Sequence, residues 1–108
     1  MKIALTNVPG EHAHAIAATL VKERAVACVN LHPIKSYYVW KDELHEDEEV
    51  TLIMKVAAEG VTRLRNRLAE LHPYELMEFI VQDINREDSL AEFIAFVRQG
   101  TRIFEDSD

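Results

Sequence analysis

The chain has 108 residues, of which 48% are hydrophobic, so it is long enough to form the core of one domain. Its net charge of −7 argues against general nucleic-acid binding and against an anionic membrane surface, because both require positive charge. A single cysteine excludes an internal disulfide framework, and no apolar run approaches membrane-spanning length. The N-terminus also lacks a signal-peptide apolar stretch. We therefore expect a soluble cytoplasmic protein with no nucleic-acid or membrane partner.

The first two predicted elements are a strand and an amphipathic helix. The strand covers Lys2 to Val8, and a turn-forming run from Asn7 to Gly10 follows it. Apolar residues then recur at the spacing of one helix face, until Lys22 to Arg24 end the helix. The predicted stripe consists of Ala13, Ile16, Ala17, Leu20 and Val21.

The central stretch, Val26 to Val56, predicts a long β-hairpin. Its flanks are rich in β-branched and aromatic residues, which is typical of strands. The flanking strands run from Val26 to Lys41 and from Val50 to Val56. The acidic residues from Asp42 to Glu49 are too charged to bury, so we expect them to form the turn.

Large side chains on both faces of the first hairpin strand predict a subunit interface. Tyr37, Tyr38, Val39 and Trp40 alternate between the two faces, and helices can cover only one. Two uncovered rings would expose roughly 400 Å² of apolar surface, which is too large for an incidental patch. We expect Tyr37, Tyr38 and Trp40 to be buried against another copy of the chain; the alternative is that the rings are partly exposed.

The remaining chain predicts a helix, a strand and a last helix. The helix runs from about Gly60 to Leu71 and ends at His72, because the residue before Pro73 disfavours the α conformation. A strand from about Met77 to Ile84 and a turn at residues 85–88 follow. Asp88 or Ser89 can cap the last helix, and residues 105–108 are expected to be a disordered acidic tail. The stripe of the last helix consists of Leu90, Phe93, Ile94 and Val97.

The order β-α-β-β-α-β-α predicts an α+β fold, the ferredoxin-like βαββαβ pattern with an additional C-terminal helix. We place one domain at residues 1–104. This fold leaves one face of its sheet without helices, which agrees with an interface on the hairpin. Fold alone does not specify function.

The residues themselves suggest one metal site. Cys28, His72 and the carboxylates of Glu75 and Glu78 would suit a borderline-soft cation such as copper or zinc. The alternatives stay open. Cys28 is also explained as a small buried hydrophobic residue, which is the commoner fate of a free cysteine. The segment from His72 to Glu75 is also explained as structural, with Tyr74 packed and Glu75 paired with a lysine of a neighbouring chain.

Several short blocks together resemble the CutA family of divalent-cation tolerance proteins. The resemblance covers nearly the whole chain. It implies a ferredoxin-like subunit in a tight homotrimer similar to the PII signalling proteins, with copper or another divalent cation as a ligand and no established reaction. The blocks are Ala27 to Asn30, then Ser36, Tyr38 and Trp40, then Asp47 to Glu49, Lys55, and Leu71 to Glu75.

Two kinds of function follow as hypotheses. The first is a trimeric binding or regulatory protein, without enzymatic activity, that takes a divalent cation or a small ligand at subunit clefts lined by Asn30, Lys55 and Tyr74. The second is a small acyl-phosphate hydrolase that uses Asn30 and a helix arginine. The loop from Asn7 to Glu11 suits a phosphate badly, because it contains an acidic residue and a proline. A structural trimer that binds a protein partner is a third possibility.

Overall fold

The computed structural model describes residues 1–103, and its elements follow the predicted order. The predicted tail at residues 105–108 lies outside the described residues. A short 3-10 helix at Ala58–Gly60 precedes the second α-helix. The strands are β1 Lys2–Pro9, β2 Cys28–Trp40, β3 Glu43–Val56 and β4 Ile80–Asp83; the helices are α1 Gly10–Lys22, α2 Val61–Leu71 and α3 Ala91–Gly100. The α+β, ferredoxin-like fold with an additional C-terminal helix is thereby confirmed.

The four strands form one antiparallel sheet in the order β2-β3-β1-β4. The first strand pairs with β3 from Lys2↔Val56 to Pro9↔Glu49, whereas β4 pairs only with the first half of β1. This arrangement leaves β2 and β4 as the two edges of the sheet. None of the helices within residues 1–103 is long and apolar enough to cross a membrane.

The core lies on one side of the sheet, which we call the covered face. Alternate residues of β1 and β3 point to this side, as the two-residue period of a strand requires. Helices α1 and α2 pack there through Ile16, Leu20, Leu64 and Leu68, each at most 5% exposed. The other side, which we call the open face, carries half-buried side chains. The fully buried strand residues of the covered face are Ala4, Thr6, Val8, Leu52, Met54 and Val56.

Helix α2 ends where the sequence predicts. His72, the residue before Pro73, has extended backbone angles (φ −74°, ψ 131°), and its amide donates the last helical hydrogen bond to Leu68. Arg67 fixes α2 against α1, because its guanidinium donates two hydrogen bonds of 2.7 and 2.8 Å to the Glu23 carboxylate. The chain therefore leaves the layer of helices at His72.

The paired strands β2 and β3 continue past the rest of the sheet. Strand β1 ends at Pro9, which is opposite Glu49, so residues 35–40 and 43–48 pair only with each other. We call this two-stranded segment the ribbon. Apolar side chains are exposed on it, including 63% of Tyr37 and 68% of Val39. A two-stranded ribbon is marginally stable alone, and an unpaired edge is prone to pair with another chain.

The prediction that residues 42–49 form the turn is wrong. The turn contains only Lys41 and Asp42, both with positive φ (51° and 65°), as a two-residue hairpin turn requires. The acidic residues belong to β3, where water reaches both faces of the ribbon, so their charge does not oppose a strand. Cross-strand contacts also offset the negative charge of these residues, because the Lys35 ammonium lies 2.8 Å from the Glu46 carboxylate.

Two predictions about the C-terminal part also need correction. The last strand, expected from Met77 to Ile84, is limited to the exposed strand β4. Helix α3 starts after Leu90, because the expected caps are engaged elsewhere: Asp88 accepts a hydrogen bond from Asn85, and Ser89 donates one to the Asn85 carbonyl. The predicted stripe of α3 is buried completely only at Val97, while Leu90 and Phe93 are at least 40% exposed.

Gly100, the last residue of α3, packs closely against Ala27, and a substitution there tests this contact. A Cβ atom at Gly100 would lie 2.8 Å from the Cβ atom of Ala27, so Gly100→Ala forces the helix away from the start of β2. We expect this variant to lose about 1–3 kcal/mol in the free energy of unfolding, measured by denaturant titration. The matched control is Gly10→Ala, whose added Cβ would lie 3.7 Å from its nearest neighbour. Equal stability of the two variants would contradict the close packing.

Candidate ligand site

His72 connects the end of α2 to strand β1. Its Nδ1 atom accepts a hydrogen bond from the Tyr74 amide at 3.2 Å, so the ring proton is on Nε2. The Nε2 atom lies 3.0 Å from the Asn7 carbonyl oxygen and 3.1 Å from Thr6 Oγ1. The Thr6 hydroxyl in turn donates to the Glu78 carbonyl at 2.6 Å. Both ring nitrogens of His72 therefore make hydrogen bonds within the chain.

Burial favours the neutral form of this imidazole. His72 is 9% exposed, and desolvation lowers its pKa below the ordinary value of 6.5. The Asn7 carbonyl and the charge of Glu49 act in the opposite direction but do not outweigh desolvation. His72 is thus a neutral imidazole that holds the following segment against β1.

This placement creates a pocket between the ribbon and the segment at residues 74–76. The pocket has a volume of about 250 Å³. Tyr38 and Trp40 line it from the ribbon, and Tyr74, Glu75 and Leu76 line it from the segment. Three of the five lining residues are aromatic, so the pocket is apolar on its walls and acidic at Glu75.

Two carboxylates hold the tyrosines of the pocket. The Tyr74 hydroxyl donates to Glu49 and the Tyr38 hydroxyl donates to Asp47, each at 2.5 Å. Glu49 is only 7% exposed. The hydrogen bond to Asp47 raises the pKa of Tyr38 to about 12, and burial followed by the bond to Glu49 raises that of Tyr74. Both hydroxyls therefore remain protonated donors at neutral pH.

Lys41, in the hairpin turn, lies near two of the residues that line the pocket. Its Nζ atom lies 5.8 Å from the centroid of the Trp40 ring and 3.9 Å from the Glu75 carboxylate. Glu75 therefore pairs with a lysine of its own chain. Both side chains of this pair are about three-quarters exposed, so the contact is loose.

Within one chain, the four predicted metal ligands do not come together. Cys28 lies on the open face opposite Lys55, whereas His72 contacts Thr6, which points to the covered face. The side chains of Glu75 and Glu78 are exposed. Among residues 1–103, no group of three His, Cys, Asp or Glu side chains could hold a metal ion. The four predicted ligands of one chain therefore cannot bind one cation together.

The predicted ligand cleft is divided in the same way. Lys55 donates a hydrogen bond to the Asn30 side chain, and the Cys28 thiol lies 3.9 Å from the same oxygen. Tyr74 instead bonds to Glu49, which is six residues from Lys55 along β3, or about 20 Å. Asn30 and Lys55 are therefore neighbours, and Tyr74 belongs to a different site.

Sequence reasoning missed the residues that support the pocket. Glu49 falls in the predicted acidic turn, because the apolar alternation of the strand ends at Val50; its pairing with Pro9 places it in β3. Thr6 and Asn7 carry no sequence signal, because only the fold brings His72 to them.

The predicted interface residues Tyr37, Tyr38 and Trp40 are all partly exposed on the ribbon, at 63%, 40% and 37%.

The four-stranded antiparallel sheet and the helices on its covered face define a protein of the ferredoxin-like class. The sequence matches the family "CutA1 divalent ion tolerance protein" over residues 2–100. A relative from Thermus thermophilus, "Divalent-cation tolerance protein CutA", is 35% identical over 93% of this chain and 97% of its own length. A relative of the same name from Pyrococcus horikoshii is 37% identical over 81% of this chain and 89% of its own length. The chain belongs to the CutA family.

Solved structures support the same assignment. The "PII-like protein CutA from Nostoc sp. PCC 7120 in apo form" is 53% identical, with a TM-score of 0.94 over 96% of this chain and 100% of that chain. The crystal structure of CutA1 from Pyrococcus horikoshii is 33% identical, with a TM-score of 0.88 over 94% of this chain and 99% of that chain. These structures confirm the predicted resemblance to the CutA family, and the fold is similar to that of a PII-like protein.

The neutral state of His72 gives a testable pH dependence. The pKa of His72 is lower in the folded chain than in the unfolded chain, so on acidification the unfolded chain takes up its proton first. Stability from this residue is complete above about pH 6.5 and is lost as the pH falls through that value. We expect the free energy of unfolding to fall less steeply between pH 7.5 and 5.5 in His72→Gln than in the wild type.

The control for that experiment is His14→Gln, which removes an exposed imidazole on α1. All titrations are made at one protein concentration. The pH range stays above that in which carboxylates ordinarily titrate. If His72→Gln and the wild type show the same slope, His72 is not held neutral by its burial.

Proposed function

We propose that this protein is a PII-like homotrimer, without enzymatic activity, that binds a small ligand or a divalent cation and acts as a regulator of cation tolerance. The observation that carries the proposal is the ribbon. It extends beyond the sheet, exposes aromatic side chains and has an unpaired edge. Such a segment is stable when another chain covers it, and symmetric assembly supplies that chain.

The binding function is favoured over an acyl-phosphate hydrolase. The first turn of α1, where such an enzyme would hold phosphate, carries Glu11, and Pro9 before it offers no amide donor. Asn30, the proposed catalytic amide, accepts a hydrogen bond from Lys55. These residues therefore leave the hydrolase without its anion site.

A structural trimer that binds a protein partner is less well supported. The pocket beneath the ribbon is small and has a defined set of lining residues, which favours a small ligand. In the proposed function this pocket is the ligand cleft, with Tyr74 in its wall.

The cation part of the proposal places Cys28 at the centre. A thiolate is a preferred ligand of copper and zinc, and Cys28 lies partly exposed on the open face. Because residues 1–103 hold no group of three His, Cys, Asp or Glu side chains that could bind a metal ion, carboxylates such as Glu75 and Glu78 of a neighbouring chain complete the proposed site. The proposal leaves His72 out of the direct ligands, and the hydrogen bonds of both its ring nitrogens support this choice. We assign the protein to the cytoplasm, where a free thiol stays reduced.

The assembly predicts that stability depends on protein concentration. When folding and association are coupled, the denaturation midpoint rises with concentration. Trp40→Ala removes an aromatic group from the proposed interface and should weaken the assembly by about 2–4 kcal/mol. The measurement is denaturant unfolding over a hundredfold range of concentration.

The matched control is Val21→Ala, which shortens an exposed apolar side chain on α1. It should retain the concentration dependence of the wild type. Midpoints of the wild type that do not move over the hundredfold range would argue against obligate assembly.

Calorimetry with Cu(II) and Zn(II) tests the cation site. We expect Cys28→Ser to bind either ion at least tenfold more weakly than the wild type, because it loses the thiolate. His72→Gln should retain the wild-type affinity while it remains assembled. If Cys28→Ser binds as tightly as the wild type, Cys28 is not a ligand; if His72→Gln loses binding while assembled, its exclusion is wrong.

A further inference from the structure

We propose that a groove along helix α3, at the end of the sheet opposite the ribbon, binds a small organic carboxylate between Arg86 and Arg98. This site goes beyond the proposed function, because it shares no residue with the ribbon or with the pocket at residues 74–76. It is carried by the two arginines, by the apolar wall between them and by its separation from the ribbon.

Two neighbouring cavities of about 250 and 310 Å³ form this groove, and Arg86, Ile94 and Arg98 line both of them. Helix α3 supplies Ile94 and Arg98, and the turn after β4 supplies Arg86. We call the two cavities together the basic groove. Its other lining residues are Met1, Ala57, Ala58, Glu59, Ala91 and Ala95.

Arg86 offers a guanidinium that the described part of the chain does not use. None of residues 1–103 forms a hydrogen bond or an ion pair with its side chain. The backbone on both sides of it is fixed, because Asn85 Oδ1 accepts hydrogen bonds from the amides of Glu87 and Asp88 at 3.0 and 3.2 Å. Arg86 is therefore a positioned cation at one end of the groove.

Arg98, at the other end, already binds a carboxylate. Its guanidinium donates a hydrogen bond of 2.5 Å to Glu59, and this bond holds the pKa of Glu59 below its ordinary value. The contact uses one of the five N–H donors of the guanidinium. The Arg98 and Glu59 side chains are 58% and 48% exposed, so a second carboxylate can reach the remaining donors.

The wall of the groove indicates an organic ligand. Ile94 and four alanines line it, and the short alanine side chains leave room for a hydrocarbon group. Guanidinium groups bind carboxylate and phosphate alike. Inorganic phosphate carries more negative charge towards Glu59 and has no apolar surface to bury. A monocarboxylate with a short hydrocarbon chain therefore matches the groove better.

The groove lies on a different flank of α3 from its exposed phenylalanines. The four α3 residues of the groove recur at the i, i+3, i+4 and i+7 spacing of one helix face. At about 100° per residue, Phe93 and Phe96 lie on the other side of the buried Val97. A surface that covers these rings therefore approaches α3 from the opposite flank.

The groove is also far from the ribbon. Residues 43–48 of β3 belong to the ribbon, whereas Ala57 follows Val56, the last residue of the same strand. The eight steps from Glu48 to Val56 span about 26 Å. The ribbon surface that assembly covers therefore lies at the other end of the sheet.

Amide NMR shifts of the ¹⁵N-labelled wild-type protein, in its assembled state, test this proposal. Sodium pentanoate is titrated at pH 7 and at constant ionic strength, with sodium chloride as the balancing salt. We expect saturable shifts at residue 86 and at residues 94–98. The uncharged analogue 1-pentanol should give no saturable shift there, and inorganic phosphate should bind more weakly than pentanoate.

Variants of the charged residues identify their roles. Arg86→Gln is the cleanest, because it breaks no contact in residues 1–103, and it should weaken pentanoate binding about tenfold. Glu59→Gln removes a like charge and should tighten binding about threefold. The matched control is Arg65→Gln, which changes an exposed arginine of α2 outside both cavities and should bind as the wild type does.

Three results would overturn the inference. The first is the absence of saturable shifts with pentanoate in the assembled protein. The second is equal binding of pentanol or tighter binding of phosphate, because the site would then not select an organic carboxylate. The third is an unchanged affinity in Arg86→Gln, since the groove would then not hold the ligand through this guanidinium.

Discussion

The pairing of β2 with β3 is the constraint on which the other features depend. It runs without interruption from Cys28↔Lys55 to Trp40↔Glu43, whereas β1 accompanies β3 only as far as Glu49. One half of the hairpin therefore belongs to the core, and the other half becomes the ribbon. Glu49 marks the boundary, and its carboxylate accepts the Tyr74 hydroxyl that closes the pocket. The position of the ribbon and that of the pocket are consequences of one register.

His72 supplies the second half of the site. Pro73 ends α2 at this residue, and the imidazole then connects the departing chain to β1 through the Asn7 carbonyl and the Thr6 hydroxyl. Residues 74–76 are thereby held beside the ribbon, although they form neither helix nor strand. A histidine that resembles a metal ligand in the sequence is explained here as a structural connection.

The sequence predicts the fold well because its local signals agree with the tertiary structure. The stripe of α1 and the proline after α2 each specify an element that the core then fixes. The sequence does not predict the acidic part of β3, because charge opposes a buried strand, whereas in a single chain these residues face water. The site was predicted less well: Glu49, Thr6 and Asn7 become neighbours of the segment after α2 only through sheet register, which no short motif encodes.

The central claim is that other copies of the chain cover the ribbon. Sedimentation equilibrium of the wild-type protein at micromolar concentration tests it most directly, because the mass does not depend on any assumption about the ligand. The account predicts a mass equal to three chains. A mass equal to one chain at that concentration would contradict it, since the aromatic side chains of the ribbon would then remain exposed to water.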